Sequence, residues 1–136
     1  MTTVYLAGAI DKVTPDFAIE WRQEAKSFLE PKGFEVLDPT AGKDLWKPGV
    51  NTVAYEPDEI ITADLKMISA ADIILAEICR RDIPYHGTSM ELVYACEWEK
   101  AVYVWGGCQS YWVRYHSDKI FEQLLQALDY IAHYWG

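Results

Sequence analysis

Apolar positions along the chain follow two rhythms. Val4-Tyr5-Leu6-Ala7, Ile73-Ile74-Leu75-Ala76 and Ala101 to Trp105 are short unbroken apolar runs, the first closed by Gly8 and the last by Gly106-Gly107. Runs of this length between turn residues predict buried strands. The run at Ile73 is the most apolar and predicts a central strand. Phe34-Glu35-Val36-Leu37 predicts one more, stopped by Asp38-Pro39. Between these runs the spacing becomes helical. Thr14-Pro15 opens a segment in which Phe17, Trp21, Ala25, Phe28 and Leu29 recur at helical intervals, ending at Gly33. Pro57 to Ala70 repeats the pattern with Ile61, Leu65 and Ile68 along one face, and a third helix is expected from Thr88 or Ser89 to about Lys100. From Lys119 onward Ile120, Leu124, Leu128, Ile131 and Trp135 predict a closing helix, with room for a short fifth strand near Lys119 to Phe121.

Strands alternating with helices imply a parallel sheet covered on both faces. The expected architecture is α/β, a three-layer sandwich of the flavodoxin or Rossmann type with four or five parallel strands, in a single domain over residues 1–136. Ligands of such sheets bind beyond the carboxyl ends of the strands, so the loops that follow strands are the places to look for chemistry. The segment from Thr40 to Glu56, with Gly42, Pro48, Gly49 and Asn51, is too long for a plain connection and reads as functional.

Composition narrows the choice of partner. Hydrophobic residues make up 51% of the 136, enough to bury one core. Twelve basic against twenty-one acidic residues leave a net charge of −9, which argues against a nucleic-acid polymer or an anionic membrane. No apolar run approaches the roughly 20 residues of a membrane span. The chain starts directly on a strand-like segment in place of a signal peptide, so a cytoplasmic location is expected. Cys79, Cys96 and Cys108 are odd in number without paired spacing, and the histidines are scattered. Neither a disulfide framework nor a metal site is therefore expected.

Two carboxylates carry the candidate chemistry. Glu91 lies in Gly87-Thr88-Ser89-Met90-Glu91-Leu92, one turn inside the third helix. Thr88-x-x-Glu91 has the spacing of a capping box, in which the glutamate folds back onto a backbone N–H. The same position suits a carboxylate at the mouth of a site, kept ionised by the helix dipole. Such a group can attack a sugar C1′ and form a glycosyl-enzyme, as in retaining glycosidases. Spacing alone leaves both readings open. Asp64 falls between Ile60 and Ile68, inside the apolar arc of its helix. A carboxylate facing a core is costly unless it is paired or working; the alternative is an edge position from which it reaches water.

Taken in order, Tyr5-Leu6-Ala7-Gly8, Asp64-Leu65, Ala71-Asp72-Ile73-Ile74-Leu75-Ala76-Glu77 and Gly87-Thr88-Ser89-Met90-Glu91-Leu92 resemble the nucleoside 2-deoxyribosyltransferase superfamily, which includes the N-glycosidases of nucleoside monophosphates. The resemblance runs from Tyr5 to about Trp105. It implies a flavodoxin-like fold, a homo-oligomer (at least a dimer) whose sites borrow residues from a neighbour, and a retaining mechanism with Glu91 as the nucleophile. Asp64 matches the aspartate that orients the reactants or handles the proton of the leaving base. Tyr5 matches the tyrosine near the nucleophile, and Gly8 the glycine that lets backbone approach the ligand. By the same resemblance Ala9, Tyr85, His86, Gly87, Thr88 and Met90 bind substrate, and Trp112 and Arg114 reach a neighbouring subunit's pocket. Tyr85 stands six residues before Glu91. The transferases have a base-contacting aspartate there, and the monophosphate glycosidases a serine for the 5′-phosphate.

The expected ligands are a nucleoside or nucleotide and a free nucleobase, with no metal or organic cofactor. The acidic total favours an unphosphorylated nucleoside, although Arg22, Lys43, Arg80 or Arg81 are cations able to hold a phosphate. Trp21-Arg22 reads as a buried aromatic beside a solvated arginine. Trp46 and Tyr55 suit stacking on a base or packing of a lid, and Cys79 reads as structural. Transfer of deoxyribose between bases is the leading reading; hydrolysis by the same glutamate, or a binding module without turnover, are the alternatives.

Overall fold

The computed structural model describes residues 1–41, 56–108 and 110–136, so Lys43, Trp46 and Tyr55 lie outside the described residues. Among those described, β1 (Thr3–Ala7), β2 (Glu35–Leu37), β3 (Ile73–Glu77), β4 (Ala101–Trp105) and β5 (Lys119–Phe121) form one sheet. Its order is β2-β1-β3-β4-β5, and every neighbouring pair is parallel. The helices are α1 (Pro15–Leu29), α2 (Pro57–Ala70), α3 (His86–Glu97), α4 (Tyr111–Tyr115) and α5 (Leu124–Trp135). The expected three-layer α/β sandwich is what the chain adopts, with the short fifth strand at its expected place.

Alternation along the strands builds two cores. Val4 and Leu6 of β1 join Ile73 and Leu75 of β3 on one face, under Trp21, Ala25 and Leu29 of α1 and Leu128 and Ile131 of α5. Tyr5 and Ala7 join Ile74 and Ala76 on the other, under Ile68 of α2 and Leu92 and Ala95 of α3. All five residues of β3 are buried, as a strand covered on both faces requires. The Thr14 hydroxyl caps α1 by accepting the Phe17 N–H at 3.2 Å, with Pro15 in the first turn.

Four sequence expectations change. The third helix begins at His86, before Thr88, and stops at Glu97. Helix α4 was not anticipated: it is five residues long, too short to show a hydrophobic period. Ile61, expected on the buried face of α2, is 49% exposed. Arg22 is not solvated, having no exposed surface at all. Its guanidinium donates to the carbonyls of Ala18 at 2.8 Å, Gly8 at 3.2 Å and Leu6 at 3.3 Å, and its Nε lies 3.8 Å from Asp38 Oδ1. A buried cation persists only with such partners. Here they are the carbonyls of Leu6 in β1, Gly8 just after it and Ala18 of α1, with the carboxylate that follows β2, so Arg22 fixes the floor beneath the loop after β1. No helix among the described residues is long and apolar enough to cross a membrane.

Candidate active site

Chain connections leave β1 and β3 toward opposite edges of the sheet, and a crevice opens beyond their carboxyl ends. A cavity of about 570 Å³ occupies it. One wall is the loop from Gly8 to Lys12 after β1; a second is α2, through Glu59, Ile60, Ala63 and Asp64; a third is the turn from Ile83 to Thr88 with Glu91 of α3. That volume lies in the range of small-molecule sites.

The capping reading of Glu91 fails. The residue before the first turn of α3 is Tyr85, no side chain caps the helix, and Thr88 lies buried inside it. Glu91 therefore has no N-terminal N–H to reach. Its Oε2 instead accepts the Tyr5 hydroxyl at 2.6 Å. Tyr5 is 1% exposed, and burial together with the carboxylates of Glu91 and Asp64 raises its phenol well above the ordinary value of 10.0. It is thus a permanent donor. Burial lifts Glu91 from 4.5 to about 8; Asp64 pushes the same way, while the Tyr5 hydrogen bond and Arg22 pull it down. The carboxylate, expected from the sequence to be ionised, is thus held toward its neutral form, chiefly by loss of water.

Residues 4–123 match the family model described as nucleoside 2-deoxyribosyltransferase. The chain belongs to the nucleoside 2-deoxyribosyltransferase family. Solved structures share the fold over almost the whole chain. A 2-desoxiribosyltransferase from Leishmania mexicana is 19% identical, with a TM-score of 0.73, covering 98% of this chain and 99% of its own. A 2-deoxyribosyltransferase from Bacillus psychrosaccharolyticus is 18% identical, with a TM-score of 0.71 and coverage of 95% and 92%. A CMP N-glycosidase from Clostridium botulinum is also 18% identical, with a TM-score of 0.65 and coverage of 98% and 99%. Comparison with curated protein sequences gave no match.

Most of the residues expected at the site of this nucleoside 2-deoxyribosyltransferase family member do meet. Gly8, Ala9, Asp64, Tyr85, His86, Gly87, Thr88 and Glu91 all line the cavity, and Tyr5 touches it through Glu91. Met90 does not line it, being 63% exposed on the outer side of α3. Trp112 is 77% exposed on α4, and Arg114 borders a separate cavity of about 190 Å³ with Cys108 and Glu122. Neither lines the cavity that holds Glu91. Sequence reasoning missed Asp11 and Lys12 on the cavity wall, and above all Glu77, which is fully buried at the end of β3. An acid prolonging an apolar strand that is covered on both faces was the available signal. Burial and Glu77 push the Cys79 thiol up to about 12, so it stays protonated. Among the described residues no cluster of His, Cys, Asp and Glu suits a metal ion.

The Glu91 shift links pH to stability. The folded chain holds this proton up to about pH 8, whereas the unfolded chain releases it near 4.5. Folding therefore binds a proton between these values, and its contribution, complete below 4.5, is lost as pH rises through 8. Relative to Glu91→Gln, the parent is expected to lose stability across this window, by an amount on the order of a few kcal/mol. Denaturant unfolding at a series of pH values measures it; parallel curves for the two proteins would contradict the assignment.

Proposed function

We infer that the protein cleaves the N-glycosidic bond of a deoxynucleoside through a covalent glycosyl–Glu91 intermediate and passes the deoxyribose to another nucleobase. One observation carries the reading: the Glu91 carboxylate sits on the wall of a cavity shared with Asp64, held by Tyr5 at 2.6 Å. Because Tyr5 engages Oε2, Oε1 is the oxygen presented to C1′. Its attack forms the ester bond while the C1′–N bond breaks and its electron pair leaves on the base. Asp64 orients the reactants and handles the proton of that base. The acceptor base then attacks C1′ through nitrogen, the ester breaks, and the carboxylate returns; two inversions retain the configuration. Only ionised Glu91 attacks, and the burial that limits its ionisation also strips it of water. A carboxylate nucleophile and an oxocarbenium-like transition state need no metal or organic cofactor.

Charge favours a nucleoside over a nucleotide. Asp11, Glu59 and Asp64 line the cavity against Lys12. Of the cations considered for a phosphate, Arg22 is spent on backbone carbonyls and Arg80 is paired with Asp82 at 2.6 Å. Apolar walls at Ile10, Ile60 and Ile83 limit water around the base and favour transfer over hydrolysis.

Incubation with a deoxynucleoside, with and without a second free base, separates the possibilities. Exchange of bases is expected. Equal slow release of base in both reactions would make the protein a hydrolase, and binding without turnover a module. Glu91→Gln should lower turnover by several orders of magnitude with the fold intact, and Asp64→Asn by about 10²–10⁴-fold. A folded Glu91→Gln variant working at the parental rate would overturn the reading.

Assembly is the second part of the proposal. Tyr111, Trp112 and Tyr115 are strongly exposed on α4, which packs beside α3 with its exposed Met90, Tyr94 and Trp98. Aromatic groups gathered in this way suit a surface covered by protein. We assign the cover to a second copy of the chain, to which Trp112 and Arg114 would be offered. Light scattering at micromolar concentration is expected to give at least a dimer; a monomer mass would contradict it.

A further inference from the structure

We propose that the hydrogen-bonded pair Glu77–Tyr85 is the positioning device of this site, setting the start of α3 and with it the place of Glu91. The proposal rests on the reading of Glu91 as nucleophile and adds two residues that do no chemistry themselves.

Glu77 ends β3 and has no exposed surface. Its Oε1 accepts the Ala9 N–H at 3.2 Å. Its Oε2 accepts the Cys79 N–H at 3.0 Å, the Cys79 thiol at 3.1 Å and the Tyr85 hydroxyl. One carboxylate thus ties the loop after β1 to the loop after β3, and both to the turn that opens α3. The loop after β1 and the turn that opens α3 are two of the three cavity walls. The fit leaves no slack at Gly8, where a Cβ would lie 2.9 Å from a Trp21 ring carbon and 3.1 Å from Glu77 Cβ and Oε1.

Tyr85 is the residue under constraint. Its φ of 52° and ψ of 38° are left-handed, a conformation that a bulky side chain adopts only where its surroundings impose it. Two hydrogen bonds impose it here: the hydroxyl donates to Glu77 and accepts the Arg80 N–H at 3.1 Å. From this posture the Tyr85 carbonyl accepts the Ser89 N–H at 2.9 Å, the opening bond of α3. Glu91 follows on the same helix and is tied to β1 through Tyr5. Helix α3 is therefore held at two places, by Tyr85 against the end of β3 and by Glu91 against β1. With its hydroxyl spent on Glu77, Tyr85 offers a substrate only its ring, although it stands at a position where family members recognise base or phosphate by polar groups.

The test uses Tyr85→Phe, Glu77→Gln and the double variant in the full chain. Each is assayed for base exchange across pH, with folding followed by circular dichroism. Tyr85→Phe should stay folded, lose about 10- to 100-fold in kcat with less change in KM, and carry the acid limb of its kcat/KM profile to lower pH. That limb reports Glu91, whose surroundings include Tyr5, Asp64 and Arg22, and it moves down as a loosened α3 admits water. A loss of folded protein alone would leave the limb in place. The double variant should be no slower than the worse single one, the signature of residues acting together. Parental kcat and pH profile in Tyr85→Phe would overturn the proposal while Glu91-dependent turnover by the parent kept the catalytic reading intact. Unfolding of Tyr85→Phe would overturn it too, since the pair would then serve stability alone. Should Glu77→Gln fail to fold, Tyr85→Phe decides by itself. A parent without exchange or hydrolysis would instead remove the reading on which the proposal rests.

Discussion

A carboxylate taken out of water must be given hydrogen bonds, a cation or a proton, and three carboxylates beside the central strands meet this constraint in different ways. Asp38 lies near the Arg22 guanidinium and accepts both the N–H and the hydroxyl of Thr40. Glu77 gathers backbone and side-chain donors from two loops. Glu91 is given the Tyr5 hydroxyl, and its affinity for a proton rises to meet the rest of the deficit. The first two fasten the floor and the walls of the crevice. The third lines the cavity and, chiefly through burial, holds a proton more readily than an ordinary carboxylate.

The scaffold explains why the groups meet. With β1 and β3 adjacent and parallel, Tyr5 sits opposite Ile74, and the loops that leave the two strands face each other across the crevice. Helix α2 delivers Asp64 from one side and α3 delivers Glu91 from the other, both packed on the sheet face that carries Tyr5 and Ala7. Arg22 crosses beneath from α1, bonded to the carbonyls of Leu6 and Gly8. Rigid elements thus hold the carboxylates, while the loops shape the space between them.

The sheet was legible because apolar runs covered on both faces leave a plain mark, and β1, β3 and β4 lie where those runs are. The ordered set of Tyr5, Asp64 and Glu91 was legible through its likeness to a family. What escaped depended on partners distant in sequence. Arg22 read as solvated because the carboxylate beside it, Asp38, belongs to the segment after β2. Thr88 and Glu91 imitated a capping box because nothing in the sequence announces that Tyr85 turns left-handed and starts the helix early. Helix α4 carries no period to detect. Glu77 stood within the recognised motif without a role, since its donors come from Ala9, Cys79 and Tyr85.

The central claim is the covalent bond between Glu91 and C1′, and trapping that bond tests it most directly. In a deoxynucleoside bearing fluorine at C2′, the electron-withdrawing fluorine destabilises the oxocarbenium-like transition states, and the glycosyl ester, once formed, breaks down slowly enough to accumulate. The protein is incubated with it, quenched in acid, digested and examined by mass spectrometry. The expected result is one fluorinated pentosyl group on the peptide containing Glu91, with an equal amount of free base released. An unmodified Glu91 peptide in a sample that turns over the parent nucleoside, or the sugar carried on another residue, would contradict the account.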